Sequence, residues 1–300
     1  MATQHPVRGM LMIMTAVAMF TVLDSIAKYL ARFYPVPGLV WARYAGHFVL
    51  LVLILGPRLK LDLVRTGRLG IQLLRGLLLA GSSLFFFSAL KFMPLAEATS
   101  INFVSPILLT VAAALILKEK VEPARWVAIG AGFAGVLIII RPGADIFEAA
   151  ALLPLGTAAC FAAYNVLTRK ISGLESPYTS LFYAGLVGTV VLAAVLPFAW
   201  QAPTTLWHGF LVLVMGLIGG ASHLILIRAY EHAPASRLAR FSYTQLLWVL
   251  IAGYVLFGDF PDAWSLTGIA VIGASAIYLA THQHLSERQQ KQMLQDTPGD

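Results

Sequence analysis

Long apolar stretches, separated by short polar segments, run along almost the whole chain. A helix needs about 20 mostly apolar residues to cross a bilayer, because lipid offers its backbone groups no hydrogen-bond partners. Ten windows meet this requirement, and they comprise residues 8–31, 37–56, 70–92, 95–117, 124–141, 150–169, 177–199, 207–230, 234–257 and 264–282. The pattern therefore predicts an all-α integral membrane protein with ten transmembrane helices.

The composition supports lipid as the solvent. The chain is 59% hydrophobic and 12% charged, whereas about a quarter of the residues of a soluble domain are charged. Its net charge is +7, but the basic residues form short clusters between apolar stretches, which is typical of membrane orientation and not of a nucleic-acid partner. The single cysteine, Cys160, excludes an internal disulfide and a cysteine-based metal cage. We expect no cofactor and no metal.

The basic residues also predict the orientation. Arg58, Lys60, Arg65 and Arg68 lie together in the segment between the second and third spans. Cytoplasmic loops carry the excess of Lys and Arg, so this segment and both termini are expected in the cytoplasm. We therefore predict a multi-pass protein of the cell inner membrane, with residues 283–300 as a polar cytoplasmic tail. A monomer and a homodimer both stay open.

The two halves of the sequence resemble each other. A shift of 140 residues carries Pro37, Pro57 and Pro94 onto Pro177, Pro197 and Pro234, and Gly76 onto Gly216. These coincidences indicate two homologous halves, residues 1–141 and 142–282. Because each half would contain an odd number of spans, five, the second half must be inserted upside down. Two inverted five-helix repeats are a transporter architecture, with the substrate bound near the midplane between the halves.

One region of the sequence matches a known pattern. It consists of Leu95-Ala96-Glu97-Ala98, then Pro106, then Leu117-Lys118-Glu119, followed by Trp126, Gly130 and Gly135. It resembles the repeat motif of the EamA branch of the drug/metabolite transporter superfamily, and the resemblance extends to about residue 282. In the second half, Leu246 replaces Pro106 and Ala270 replaces Gly130. The resemblance implies a ten-helix, ATP-independent carrier of amino acids, nucleoside-like compounds, vitamins or related metabolites, in many members an exporter.

Polar residues inside the spans are the candidate site, because in lipid they usually face a cavity or a neighbouring helix. Asp24 and Lys28 share one face of the first span and are the candidate coupling residues. Their spacing also allows an i, i+4 ion pair with each other. The candidate substrate-binding residues occupy five other spans, and they are Arg43, Asn102, Tyr164, Asn165, His223, Arg240 and Tyr243. Arg240 is the foremost candidate to bind a carboxylate through two hydrogen bonds, whereas Arg75 is expected to snorkel to the cytoplasmic surface.

Three functions are compatible with these residues. The cationic and amide side chains favour a secondary-active exporter of a carboxylate-bearing, amino-acid-like metabolite, including amino-acid-derived metallophores. The aromatic side chains would suit an importer of a flat vitamin or nucleoside-like metabolite such as riboflavin. An intramembrane enzyme would use the same buried polar groups, but the sequence contains no P-loop, zinc-protease or nucleophile-elbow motif. We therefore predict a transporter without enzymatic activity, whose partners are a small-molecule substrate and the lipid bilayer.

Overall fold

Helices account for almost all of the architecture. The computed structural model describes residues 6–116, 123–141, 148–171, 173–232, 238, 241–275 and 277–278, and no strand occurs among them. The helices are α1 (Pro6–Leu30), α2 (Val36–Leu59), α3 (Leu69–Ala89), α4 (Leu95–Asn102), α5 (Ser105–Ile116), α6 (Pro123–Ile140), α7 (Glu148–Ile171), α8 (Pro177–Ala193), α9 (Leu196–Ala199), α10 (Leu206–His232), α11 (Thr244–Phe257) and α12 (Ala263–Ser275). The predicted tail, residues 283–300, lies outside the described residues.

Five stretches are long and apolar enough to cross a membrane, and they are Val7–Leu30, Val36–Leu63, Leu69–Ala89, Ala149–Ile171 and Leu206–Ala229. Five shorter apolar helical stretches accompany them, at Leu95–Leu109, Trp126–Ile140, Pro177–Ala193, Thr244–Phe257 and Ala263–Ser275. Each of these stretches overlaps one of the windows chosen from the sequence. The prediction of an all-helical membrane protein is confirmed for the described residues.

Two of the predicted continuous spans are interrupted. Within residues 95–117, α4 ends at Asn102 and α5 begins at Ser105. Pro106 explains this break, because a proline has no backbone N–H with which to continue the preceding helix. Pro197 accompanies the similar break between α8 and α9. The first break places Asn102 and Phe103 at a helix end inside the bundle.

The helices of the two halves pack against each other in matched pairs. α1 packs on α10, and α7, which lies 140 residues after α1, packs on α3, which lies 140 residues before α10. The contact of α10 with α2 is likewise matched by that of α3 with α8, and the contact of α1 with α11 by that of α7 with α5. Every one of these pairs joins one half of the chain to the other. The packed centre of the molecule therefore lies between the halves.

Glycines allow some of these helices to approach closely. A Cβ atom added to Gly216 of α10 would lie 2.9 Å from the Cα atom of Gly46 in α2. α6 and α12 meet similarly, since a Cβ atom on Gly135 would lie 2.8 Å from the carbonyl oxygen of Gly268. Membrane helices pack through small residues because lipid supplies no hydrophobic force between them. These crossings leave no room for a side chain at Gly216 or Gly135.

Candidate functional site

A polar cluster lies where α1, α2, α3 and α10 meet, around the guanidinium of Arg43. Its Nη1 atom donates a hydrogen bond to Ser83 Oγ at 3.0 Å, and Ser83 Oγ also lies 2.9 Å from the hydroxyl of Tyr44. The guanidinium carbon lies 5.6 Å from the ring centroid of Tyr44 and 5.5 Å from that of Phe87. A hydroxyl group and two aromatic rings therefore hold the arginine of the second span in place.

Asp24 belongs to the same cluster. Its residue is 8% exposed, and Arg43 is the cation that interacts with it electrostatically. Within the part of the chain that the structure describes, the Asp24 carboxylate makes no hydrogen bond or salt bridge. The possible pair with Lys28 does not form, because the ammonium group of Lys28 binds elsewhere. A buried carboxylate of this kind can take up a proton or bind a cationic group.

Two histidines complete the cluster, and only His223 was singled out from the sequence. Its Nδ1 atom lies 2.8 Å from the carbonyl oxygen of Gly219. Since a carbonyl oxygen only accepts, Nδ1 donates this hydrogen bond. The ring of His47 lies 5.2 Å from that of His223, and among the described residues the buried His47 Nε2 atom has no hydrogen-bond partner. His47 is four residues after Arg43 and so lies on the same face of α2. This spacing could have identified His47 as a candidate from the sequence.

Lys28 lies at the end of the bundle where α1 finishes, which we call the Lys28 end. Its Nζ atom lies 2.8 Å from Asp259 Oδ2 and 3.0 Å from the carbonyl oxygen of Met93. The side chain of Lys28 is 8% exposed and that of Asp259 is 32% exposed. This ion pair joins the first half of the chain to the loop between α11 and α12 in the second half.

A second set of bonds at the Lys28 end joins the same halves. Arg141 forms a salt bridge with Asp262, and its Nη2 atom lies 3.3 Å from Ser265 Oγ. Ser265 Oγ in turn donates to Glu97 Oε1 at 2.9 Å. The hydrogen bond from Arg141, followed by one from the backbone N–H of Ser265, lowers the pKa of Asp262 to about 2. Asp262 is therefore ionised at every pH at which a membrane protein is normally handled.

Arg75 does not snorkel to the surface, so that prediction was wrong. The residue is 2% exposed, and its guanidinium donates to Gln72 Oε1 at 2.7 Å, to Thr168 Oγ1 at 3.0 Å and to the Tyr164 hydroxyl at 3.2 Å. It also lies 4.8 Å from the centroid of the Tyr164 ring. α7 packs on α3 and presents acceptors beside Arg75, which removes the reason for the side chain to extend towards water.

The other predicted residues are divided between two places. Tyr164 stacks on Phe161 at 5.8 Å beside Arg75, whereas the neighbouring Asn165 donates to the Phe161 carbonyl of its own helix at 2.8 Å. At the break after α4, Asn102 has a buried Oδ1 atom that makes no hydrogen bond within the described part of the chain.

Next to Asn102, Phe103 stacks on Tyr243 with ring centroids 5.1 Å apart. The structure thus unites Asp24, Arg43 and His223, and it places Tyr164 with Arg75. Arg240, the foremost carboxylate candidate, lies outside the described residues.

Buried charges and aromatic rings, several of them between helices of opposite halves, are typical of polytopic helical membrane transporters. The model of the EamA-like transporter family matches residues 7–141 and matches again at residues 149–281. The chain therefore belongs to that family, within the drug/metabolite transporter superfamily, and it is a membrane transporter.

The relatives of this chain are named after different transported compounds. A riboflavin transporter of Vibrio cholerae is 30% identical over 96% of this chain and 97% of its own. An S-adenosylmethionine uptake transporter of Rickettsia bellii is 30% identical over 72% of this chain and 74% of its own. A pseudopaline exporter of Pseudomonas aeruginosa is 26% identical over 91% of this chain and 95% of its own. A crystal structure that covers 92% of this chain and 98% of its own aligns with a TM-score of 0.66 at 18% identity, which shows a shared fold.

Proposed function

We propose that the protein is a secondary-active transporter of the inner membrane, built from ten transmembrane helices in two inverted five-helix repeats. The matched helix pairs support this proposal, because a two-fold relation between the halves produces each contact twice. Two separate matches of one family model, to residues 7–141 and 149–281, point the same way. Alternating access would then come from one half rocking against the other around a central site.

The cargo that the site suits best is a small metabolite with a flat, nitrogen-containing ring. The observation that carries this choice is the stack of Phe161, Tyr164 and the guanidinium of Arg75 between α3 and α7. A planar heterocycle can stack on such a surface, since aromatic and guanidinium faces both accept flat partners. Riboflavin and S-adenosylmethionine, after which relatives of the chain are named, each contain a fused ring of this kind. For such a cargo, the proposed direction of transport is import.

A second candidate is export of a carboxylate-bearing, amino-acid-like metabolite. Arg43 favours it, because its guanidinium binds a hydroxyl group and makes no salt bridge with any carboxylate in the described part of the chain. A cargo carboxylate would give this guanidinium a directly hydrogen-bonded anion, in addition to its longer-range attraction to Asp24. The relative named as a pseudopaline exporter supports this alternative.

Asp24 is the proposed coupling group, and Lys28 has a different role. Protonation of the Asp24 carboxylate would change its attraction to Arg43 and so link a proton to the central cluster. Lys28 instead holds the Lys28 end closed through Asp259. Opening of the bundle at that end would require this ion pair to separate.

Transport by purified protein in liposomes tests the proposal. Labelled riboflavin, S-adenosylmethionine and pseudopaline are offered one at a time, with and without a pH gradient, and the product is identified by mass spectrometry after transit. Passage of an unchanged ring-bearing compound supports the first candidate, whereas passage of pseudopaline alone supports the second. A chemically altered product would contradict carriage. Asp24→Asn should abolish the effect of the pH gradient while exchange of the compound persists.

A further inference from the structure

Arg75 carries a buried positive charge that no described carboxylate neutralises. Its guanidinium is always protonated, and the residue is 2% exposed. All three of its hydrogen-bond acceptors, on Gln72, Thr168 and Tyr164, are neutral. An isolated charge is costly to bury, so buried cations are normally paired with an anion. No anionic group that pairs with the guanidinium of Arg75 occurs among the described residues.

Gln72 lies between Arg75 and the carboxylate of Glu175. Gln72 accepts from Arg75 with Oε1, and its Nε2 atom lies 3.3 Å from Glu175 Oε2 and 3.1 Å from Ser180 Oγ. Glu175 also accepts a hydrogen bond from the backbone N–H of Gly67 at 2.9 Å. Glu175 therefore holds Gln72 in position instead of pairing with the guanidinium.

The guanidinium is also pre-oriented for a ligand. Of its five N–H groups, three are used by the described partners. One N–H on Nη1 and one on Nη2 remain. Arg75 lies on α3 of the first half and Tyr164 on α7 of the second, so a ligand held here would contact both halves.

We infer that Arg75 binds an oxyanion of the cargo, a carboxylate or a phosphate, while the flat ring of the same molecule stacks beside Tyr164. This inference rests on the proposed function and adds an anionic group to the substrate class. Two N–H groups on one guanidinium suit an oxyanion because charge-assisted hydrogen bonds form there in pairs. The transported molecule then supplies the negative charge that the described residues do not provide for Arg75.

Two pairs of probes, each with one ring system, test the inference. Riboflavin and flavin mononucleotide differ by a phosphate, and decarboxylated S-adenosylmethionine and S-adenosylmethionine differ by a carboxylate. We expect the wild-type protein in detergent to bind the anionic member of at least one pair about tenfold more tightly, the worth of one charge-assisted hydrogen bond. The pair that shows the preference identifies the oxyanion.

Two variants and one control locate that preference. Arg75→Gln should reduce it to less than about threefold. The ratio of the two affinities is the readout, because Arg75 also borders the Tyr164 ring and its loss should weaken both members of a pair. Gln72→Glu, always made together with Glu175→Gln so that an amide faces the new carboxylate, should do the same while keeping the arginine. It places a carboxylate where Oε1 now lies 2.7 Å from Arg75 Nη1. Arg58→Gln, at an exposed arginine, should leave the preference unchanged.

The outcomes separate this inference from the proposed function. Equal affinity for both members of each pair in wild type, or an unchanged preference in Gln72→Glu, overturns the role of Arg75 while a ring-bearing cargo still stands. If Arg75→Gln fails to fold, the preference measured in Gln72→Glu alone decides whether Arg75 binds the oxyanion. Failure of all four probes to bind or to be transported overturns the proposed cargo and this inference together.

Discussion

The ion pair between Lys28 and Asp259 gives the sharpest test of how the halves are held together. It joins α1 to the loop after α11 at 2.8 Å, with the Lys28 side chain 8% exposed and that of Asp259 32% exposed. We consider three variants: Asp259→Ala, Lys28→Met and the double variant. Each removes a different part of the same contact.

The expected magnitudes follow from which charge is left behind. Asp259→Ala leaves a buried ammonium group whose remaining acceptor among the described residues is the Met93 carbonyl, at 3.0 Å. Breaking a fully buried pair in this way costs about 3–5 kcal/mol, and the partial exposure of Asp259 lowers our expectation to about 1–3 kcal/mol. Lys28→Met leaves a carboxylate that water can reach, so it should cost less than about 1 kcal/mol. The double variant should recover part of the loss, with a coupling energy of about 1–2 kcal/mol.

Unfolding in mixed detergent micelles, followed by intrinsic fluorescence, measures these free energies. The pair Arg65–Asp62 is a matched control, since its atoms lie 3.7 Å apart with side chains 73% and 79% exposed. Asp62→Ala should change stability by no more than about 0.5 kcal/mol. Additivity of Lys28→Met and Asp259→Ala within about 0.3 kcal/mol would refute the reasoning, because it would mean that the two side chains do not interact.

Three further predictions concern packing, pH and orientation. Gly216→Ala should destabilise the protein by about 1–3 kcal/mol in thermal unfolding, because its Cβ atom has no room, whereas Gly273→Ala, with nothing within 4 Å of the added atom, should not. The hydrogen bond from Arg141, followed by that from the Ser265 backbone, lowers the pKa of Asp262 to about 2 from 3.8. The stability difference between wild type and Asp262→Asn should therefore be constant above about pH 5 and shrink as pH falls through 2. A decline already at neutral pH would contradict this assignment. Leu61→Cys, in a cysteine-free background, should resist an impermeant thiol reagent in intact spheroplasts if its segment is cytoplasmic, and labelling would reverse the proposed topology.

The helices could be predicted from the sequence because hydropathy is a local property. Every apolar stretch of the structure overlaps a window chosen by counting apolar residues. The break near Pro106 could also have been predicted, since proline has no backbone N–H to donate to the preceding helix turn. Hydropathy alone nevertheless predicts one continuous span there, because the apolar residues continue across the break.

The partners of the buried charges could not be predicted in the same way. Asp24 is one helical turn from Lys28, yet the ammonium group binds Asp259, which is 231 residues away in the sequence. The sequence alone suggests that Arg75 reaches water, because its acceptors on Tyr164 and Thr168 become visible only once α7 is packed on α3. An ion pair between distant residues forms only if their helices pack together, and a single sequence does not show which helices do so.

In the proposed inverted repeat, different contacts would hold the halves together at the two ends of the bundle. The 140-residue shift carries Lys28 onto Thr168, and in inverted repeats these positions lie at opposite ends of the bundle. Lys28 makes an ion pair across the halves, whereas Thr168 accepts one hydrogen bond from Arg75 at 3.0 Å. The proposed arrangement thus has an ion pair at one end and, at the other, hydrogen bonds to neutral acceptors, each worth about 0.5–3 kcal/mol.

A cargo oxyanion would act unequally on these two closures. It would bind the two N–H groups of Arg75 that Thr168, Tyr164 and Gln72 leave free. Its negative charge would attract the guanidinium more strongly than these neutral acceptors do, and so loosen the end at which they lie. It would leave the pair of Lys28 with Asp259 intact. A ligand shifts a conformational equilibrium only by its differential affinity for the two states. Anionic cargo should thus favour opening at the Arg75 end, and the Lys28 end would open only after release.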